Sequence, residues 1–157
     1  MLKDREKISE PDSDCARLHA DGLETFASLI AILQHGDEGA LLAVADQSIT
    51  ARTSHMGNLS GAKGVASLFA PLTETDGFTQ HASNTFLAGD RYRARLSAYI
   101  STVPDGRHRF LFGAVILVDL VRSEREGCWS VAQIKLQLTW LDGPAPGTWT
   151  IPVPERI

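Results

Sequence analysis

Two cysteines, Cys15 and Cys128, are too few and too irregularly placed for a disulfide framework or a structural zinc site. There is no apolar run of roughly 20 residues, so no segment is expected to span a membrane. Positive charge is not in excess. With 15 basic and 19 acidic side chains the net charge is −4, which argues against holding nucleic acid by phosphate neutralisation. The opening Met1 to Lys7 is charged and lacks the apolar stretch of a secretory leader, so a cytoplasmic protein is expected and the Asn58-Leu59-Ser60 sequon carries no weight. Nucleotide and hydrolase motifs are missing too. Gly57 to Gly64 imitates a phosphate loop only loosely, because Lys63 precedes Gly64 and no Gly-Lys-Ser/Thr ending follows. No cofactor or metal is implied. Any catalysis would be acid–base work by histidine and carboxylate.

What remains is a chain of 157 residues with 43% hydrophobic content, enough for one packed domain. Residues 1–14 are dense in charge and read as a loosely ordered lead-in. From Cys15 onward, Leu18, Leu23, Phe26, Ile30 and Leu33 recur at helical spacing, and Gly36 stands where a helix would stop. A shorter helix is expected from Asp37 through Leu41 and Leu42, and a third after Ser60 carrying Val65, Leu68 and Phe69 before Pro71. Residues 48–59 alternate and contain a Gly57-Asn58 turn signal, the pattern of a short strand or hairpin.

Four long strands are expected over 78–87, 91–103, 108–122 and 128–140, each rich in β-branched and aromatic residues. They are divided by Ala88-Gly89-Asp90, Pro104-Asp105-Gly106 and Ser123 to Gly127. Short loops imply an antiparallel meander, and strands this long accumulate twist and curl. The fold class is therefore α+β, with helices first and a curved sheet second. Residues 15–143 form this domain, and 144–157 read as a proline-rich tail that wraps the body or a partner.

Two-residue turns at Gly89-Asp90 and Asp105-Gly106 set a trial register. It places His81 opposite Ala98, Ala98 opposite Gly113, and Tyr92 opposite Asp119. One face then carries His81, Tyr92, Ala98, Gly113 and Asp119, with Arg91, Arg93 and Arg95 on the other. Two minimal side chains beside an imidazole leave space for a small, mostly apolar pocket. A bland reading stands beside the functional one. His81 is a hydrogen-bonded structural residue, Asp119 is a strand-end carboxylate bonded to Tyr92, and His55 is a solvated loop residue. In the last strand either Gln133, Lys135 and Gln137 or Ile134, Leu136 and Leu138 face inward, and spacing leaves both open.

Several short motifs in order carry a family resemblance. These are Gly36-Asp37, Gly61-Ala62-Lys63-Gly64-Val65, His81-Ala82-Ser83-Asn84, Leu120-Val121-Arg122, Gly127-Cys128-Trp129-Ser130-Val131 and Trp140-Leu141-Asp142-Gly143. Together they resemble the SnoaL-like group of the nuclear transport factor 2-like superfamily, over roughly residues 17 to 143. The resemblance implies a cone-shaped barrel of three N-terminal helices on a strongly curved, mainly antiparallel sheet. It also implies a pocket for a small hydrophobic or cyclic molecule, and a homodimer through the sheet.

Dehydratases, cyclases and isomerases of this group move protons beside a carbonyl or hydroxyl. In the dehydratase-like members a strand histidine works with an aspartate and a tyrosine of the first helix. The histidine matches His81, while Gln34 and Leu29 stand at the aspartate and tyrosine positions. The resulting expectation is a lyase or isomerase with His81 and Asp119 as catalytic residues and with Gln34, Tyr92, Ala98, Gly113 and Leu29 contacting substrate. The alternative is a non-catalytic small-molecule-binding or dimerisation domain of the same fold.

Overall fold

A computed structural model describes residues 2–70, 72, 79–103, 110–122 and 127–150, with side chains from Cys15 onward. Pro71, the Pro104-Asp105-Gly106 turn, the loop 123–126 and the tail beyond 150 lie outside the described residues.

The first helix, α1, runs Leu2–His35, so the helix extends through the segment read as a lead-in. Its buried stripe is Phe26, Leu29, Ile30 and Leu33, spaced as one face of an α-helix requires. Gly36 ends it with φ 65° and donates to Ile32 O at 3.0 Å, the left-handed cap that a residue without Cβ makes cheaply. Asp37 then caps α2 (Glu38–Leu41) by accepting from Ala40 N at 3.1 Å. A hairpin follows, β1 (Ala45–Thr53) and β2 (Gly57–Ser60), and then α3 (Gly61–Ala66).

The rest is sheet: β3 (Gln80–Gly89), β4 (Arg93–Thr102), β5 (Leu111–Arg122) and β6 (Trp129–Asp142). Strand order is β2-β1-β6-β5-β4-β3, antiparallel except where β1 runs parallel to β6. Helices cover one face. There Leu29 and Leu33 meet Leu96, Ile100, Phe112, Ile116 and Ile134 in a single buried cluster. The fold is α+β with a helical layer on a strongly bulged, mainly antiparallel sheet, as expected.

The register differs from the trial one. His81 pairs with Ser101, Ser101 with Gly113, and Arg95 with Asp119. Each of these partners on β4 lies three residues beyond the one expected, while nearer the turn Leu87 pairs with Leu96 and the shift is four. Three is odd, so the pairings of His81, Gly113 and Asp119 move to the opposite face of β4. The reason at the first turn is Asp90. Its Oδ1 accepts from Tyr92 N at 2.8 Å and Arg93 N at 2.9 Å, which opens the loop beyond a two-residue turn and makes Gly89 pair with Ala94. A bulge between Ser83 and Phe86, where Asn84 has φ 53°, switches the faces of β3 once more.

In β6 the second of the two open alternatives is realised, with Ile134, Leu136 and Leu138 facing inward. Extra residues at Ala132 and Thr139 reset the phase twice, so Val131, Ile134, Leu136, Leu138 and Leu141 stand opposite inward residues of β5. Gln133, Lys135 and Gln137 share the outer face with Asp119, Leu117 and Val115.

The proline-rich segment packs back on the domain as far as Thr150. Trp149 is buried, donates Nε1–H to Ala70 O at 2.8 Å, and contacts His55, Phe110 and Phe112 ring to ring. His55 is correspondingly a buried core residue, not a solvated one.

Candidate functional site

The expected site residues divide between the two faces of the sheet. Leu29 and Ala98 are buried on the inner face, in contact with the core, and Gln34 is half-buried near the end of α1. His81 is exposed on the outer face in one row with Ser101, Gly113 and Trp140. Over Gly113 the Trp140 indole donates to the Tyr99 hydroxyl, an arrangement that a Cβ at 113 would block. Asp119 lies on the same outer face and holds Arg95 through Nε at 2.7 Å and Nη2 at 3.3 Å. Tyr92 is exposed in the β3–β4 loop.

Arg93 and Arg95 therefore share a face with His81, a correction to the expected separation. Along β5 the rows of His81 and Asp119 are six residues apart, about 20 Å at the strand rise. A proton cannot pass between them directly, and the trial face of His81, Tyr92, Ala98, Gly113 and Asp119 is not formed.

The inward neighbour of His81 is Gln80. Its side chain is buried, and neither Oε1 nor Nε2 has a hydrogen-bond partner. Around the fully buried Leu29, Leu33, Ile100, Phe112 and Ile116, the cone interior is occupied by apolar side chains. Ala98 is itself buried within this cluster.

Open volume lies instead at the β3–β4 turn. A cleft of about 1220 Å³ separates the N-terminal part of α1 from that turn and from the adjoining ends of β5 and β6. Its floor is Leu18, Leu87, Ala94 and Trp129. Helix and strand approach closely because residue 22 is glycine: a Cβ there would sit 2.7 Å from Leu87 Cδ2. Trp129 is fixed by an Nε1–H bond to Leu18 O at 3.1 Å, which ties the floor to the helix.

The rim is ionisable: Arg17, His19 and Asp21 from α1, Asp90 and Arg91 from the turn, and Arg122 from the end of β5. Asp90 is held below the usual carboxylate range, chiefly by the backbone N–H of Arg93 and then that of Tyr92. Arg122 is steadied by donating Nε–H to Gly127 O at 3.1 Å. None of these residues stands among the expected site residues: Asp90 reads as a turn residue, Arg91 as part of a strand face and Arg122 as part of a family motif. Charged residues before Gly22 and at a hairpin turn look like ordinary surface until the register brings them together. Among the described residues no group of three or more His, Cys, Asp or Glu is arranged to hold a metal, and no helix is long and apolar enough to cross a membrane.

Comparison with solved structures decides the fold. A hexachlorocyclohexane dehydrochlorinase, LinA-type3 from Novosphingobium barchaimii LL02, superposes with a TM-score of 0.69 at 16% identity, over 92% of this chain and 99% of that one. An NTF-2-like protein of unknown function from Silicibacter pomeroyi DSS-3 gives 0.59 at 11% identity, over 80% and 98%. This is a nuclear transport factor 2-like fold. A protein given the provisional name scytalone dehydratase, from Novosphingobium aromaticivorans DSM 12444, also matches, at 0.59 and 12% identity over 88% and 99%. No protein-family model and no curated protein sequence matches the chain. At these identities the likeness carries architecture, because one fold hosts many chemistries.

Proposed function

We propose that this nuclear transport factor 2-like chain is a small-molecule-binding domain whose ligand occupies the cleft between α1 and the β3–β4 turn. One observation carries the reading: an apolar floor of Leu18, Leu87 and Trp129 beneath an ionisable rim, while the described residues between α1 and the sheet form one buried apolar cluster. The expected helix aspartate and tyrosine are Gln34 and Leu29, and His81 and Asp119 lie far apart. These absences favour binding over the His81-centred chemistry.

The test is a screen of cyclic and aromatic small molecules followed by NMR of the labelled protein. Resonance shifts at Leu87, Ala94 and the Trp129 indole N–H are expected. Ligands that instead perturb Ile100 and Phe112, leaving those three unchanged, would move the site into the cone and overturn the reading.

A second reading, a cofactor-independent lyase or isomerase of a cyclic, mostly apolar substrate, is favoured by one feature of the same cleft. His19 and Asp21 stand on its rim, an imidazole and a carboxylate able to take and return a proton. Two similar structures are a dehydrochlorinase and a protein provisionally named a dehydratase, both names of eliminating activities. Binding alone predicts that His19→Ala leaves every substrate untouched, whereas lyase chemistry predicts loss of turnover with binding retained.

Assembly follows from the outer sheet face, which we assign to a second copy of the chain. Four strands about 4.8 Å apart and about 40 Å long present on the order of 800 Å², the size of one side of a standard interface. Phe86, Val115, Val121 and Trp140 are the exposed apolar residues there.

A further inference from the structure

Among the described residues, three arginines on the rim of the cleft form no ion pair, and the cleft floor beneath them is apolar. Among the described residues one ion pair forms, Arg95 with Asp119 on the outer face. Arg17, Arg91 and Arg122 line the cleft and, among the described residues, pair with no carboxylate. This runs against the charge of the whole chain, which is −4. Two acids also reach the rim. Asp90 already accepts two backbone N–H groups of its own turn, and Asp21 stands on α1.

Guanidinium groups have planar, paired donors that match the two oxygens of a carboxylate or of a phosphate. Solvated surface arginines would explain the residues singly. They do not explain why helix, turn and strand end each bring one to the border of the same apolar depression. Arg122 is also oriented in advance, since its Nε is held by Gly127 O and its terminal nitrogens remain for a ligand. Over an apolar floor such donors act with less solvent screening than on an open surface.

We propose that the cleft takes an amphipathic organic oxyanion. The apolar body lies on Leu18, Leu87 and Trp129, and the carboxylate or phosphate head meets Arg17, Arg91 and Arg122. This rests on the cleft being the ligand site and adds the charge class of the ligand.

Calorimetric titration of the full chain with 1-naphthoate, 1-naphthyl phosphate and the neutral 1-naphthalenemethanol tests it. One or both anions should bind at least about tenfold more tightly than the alcohol, a margin typical of a hydrogen bond to a charged group. Whichever anion is stronger identifies the head group. Arg17→Gln and Arg91→Gln should each erode that preference while leaving alcohol binding unchanged, and Arg95→Gln, on the outer face, should leave it intact. Equal affinity for all three probes, with NMR shifts at Leu87 and Trp129, overturns the oxyanion inference and keeps the site. Probes that bind without touching those residues overturn both.

Discussion

His55 donates Nε2–H to Leu68 O at 3.2 Å, and its Nδ1 meets no partner inside the core. Burial lowers its pKa from 6.5, and the bond to Leu68 only partly opposes that. The sign follows from linkage. Near pH 6.5 and below, the unfolded chain protonates this ring while the folded one keeps it neutral. Stability therefore rises with pH through that window and is lost on acidification. The loss is measurable as a fall in urea midpoint as the pH drops through 6.5. His55→Phe should flatten that slope, and an unchanged slope would assign it to other groups.

Gln80 presents the opposite case, a buried amide with neither end satisfied. Replacing it with leucine removes both groups and should raise stability by roughly 1–2 kcal/mol in urea unfolding. A destabilised variant would show that the amide is bonded in solution. Neither residue was legible in sequence. A histidine beside a Gly57 turn looks solvated, and Gln80 differs from His81 by one position, which in a strand is the difference between two faces.

At the scale of elements, periodicity located every helix and strand, though not the start of α1, whose first residues carry too much charge to show an apolar stripe. The spacing of Phe26, Ile30 and Leu33 identifies α1, and alternation identifies the hairpin and the four long strands, because burial on one side imposes those periods. Register was not legible, because it depends on a single side chain and three extra residues. Asp90 widens one turn through its own hydrogen bonds, and the bulges at Asn84, Ala132 and Thr139 each reverse which residues face the core.

How firmly the C-terminal segment holds to the body was not legible in sequence either. A segment with four prolines and two glycines after Asp142 reads as a tail, yet Trp149 closes one end of the core against His55, Phe110 and Phe112. Trp149→Ala should cost about 3–5 kcal/mol, the usual loss for a large buried aromatic. Truncation after Gly143 should cost at least as much. Thermal denaturation of both variants checks this, and a truncated chain as stable as the full one would return Trp149 to the status of a tail residue.

For the whole molecule the decisive feature is that helices cover only one side of the sheet. A solvated antiparallel face is ordinarily polar at alternate positions. Here β5 is apolar on both sides: Ile116, Val118 and Leu120 face the core, while Val115, Leu117 and Val121 face out. Phe86 is 66% exposed, and Val115, Val121 and Trp140 are each 40% exposed. These residues are spread over adjacent strands, with Arg95–Asp119 and Lys135 among them. A two-fold axis through such a face would set apolar residues against their own copies and leave the charges toward the rim. Val115→Glu would bring two carboxylates into the desolvated centre, and because Val115 is already partly exposed the fold should tolerate it. Sedimentation at micromolar concentration should then show a dimer for the native chain and a monomer, with unchanged circular dichroism, for the variant. A native chain that sediments as a monomer would leave the outer face without a second copy, and the ligand cleft at the β3–β4 turn would stand as the function of a lone domain.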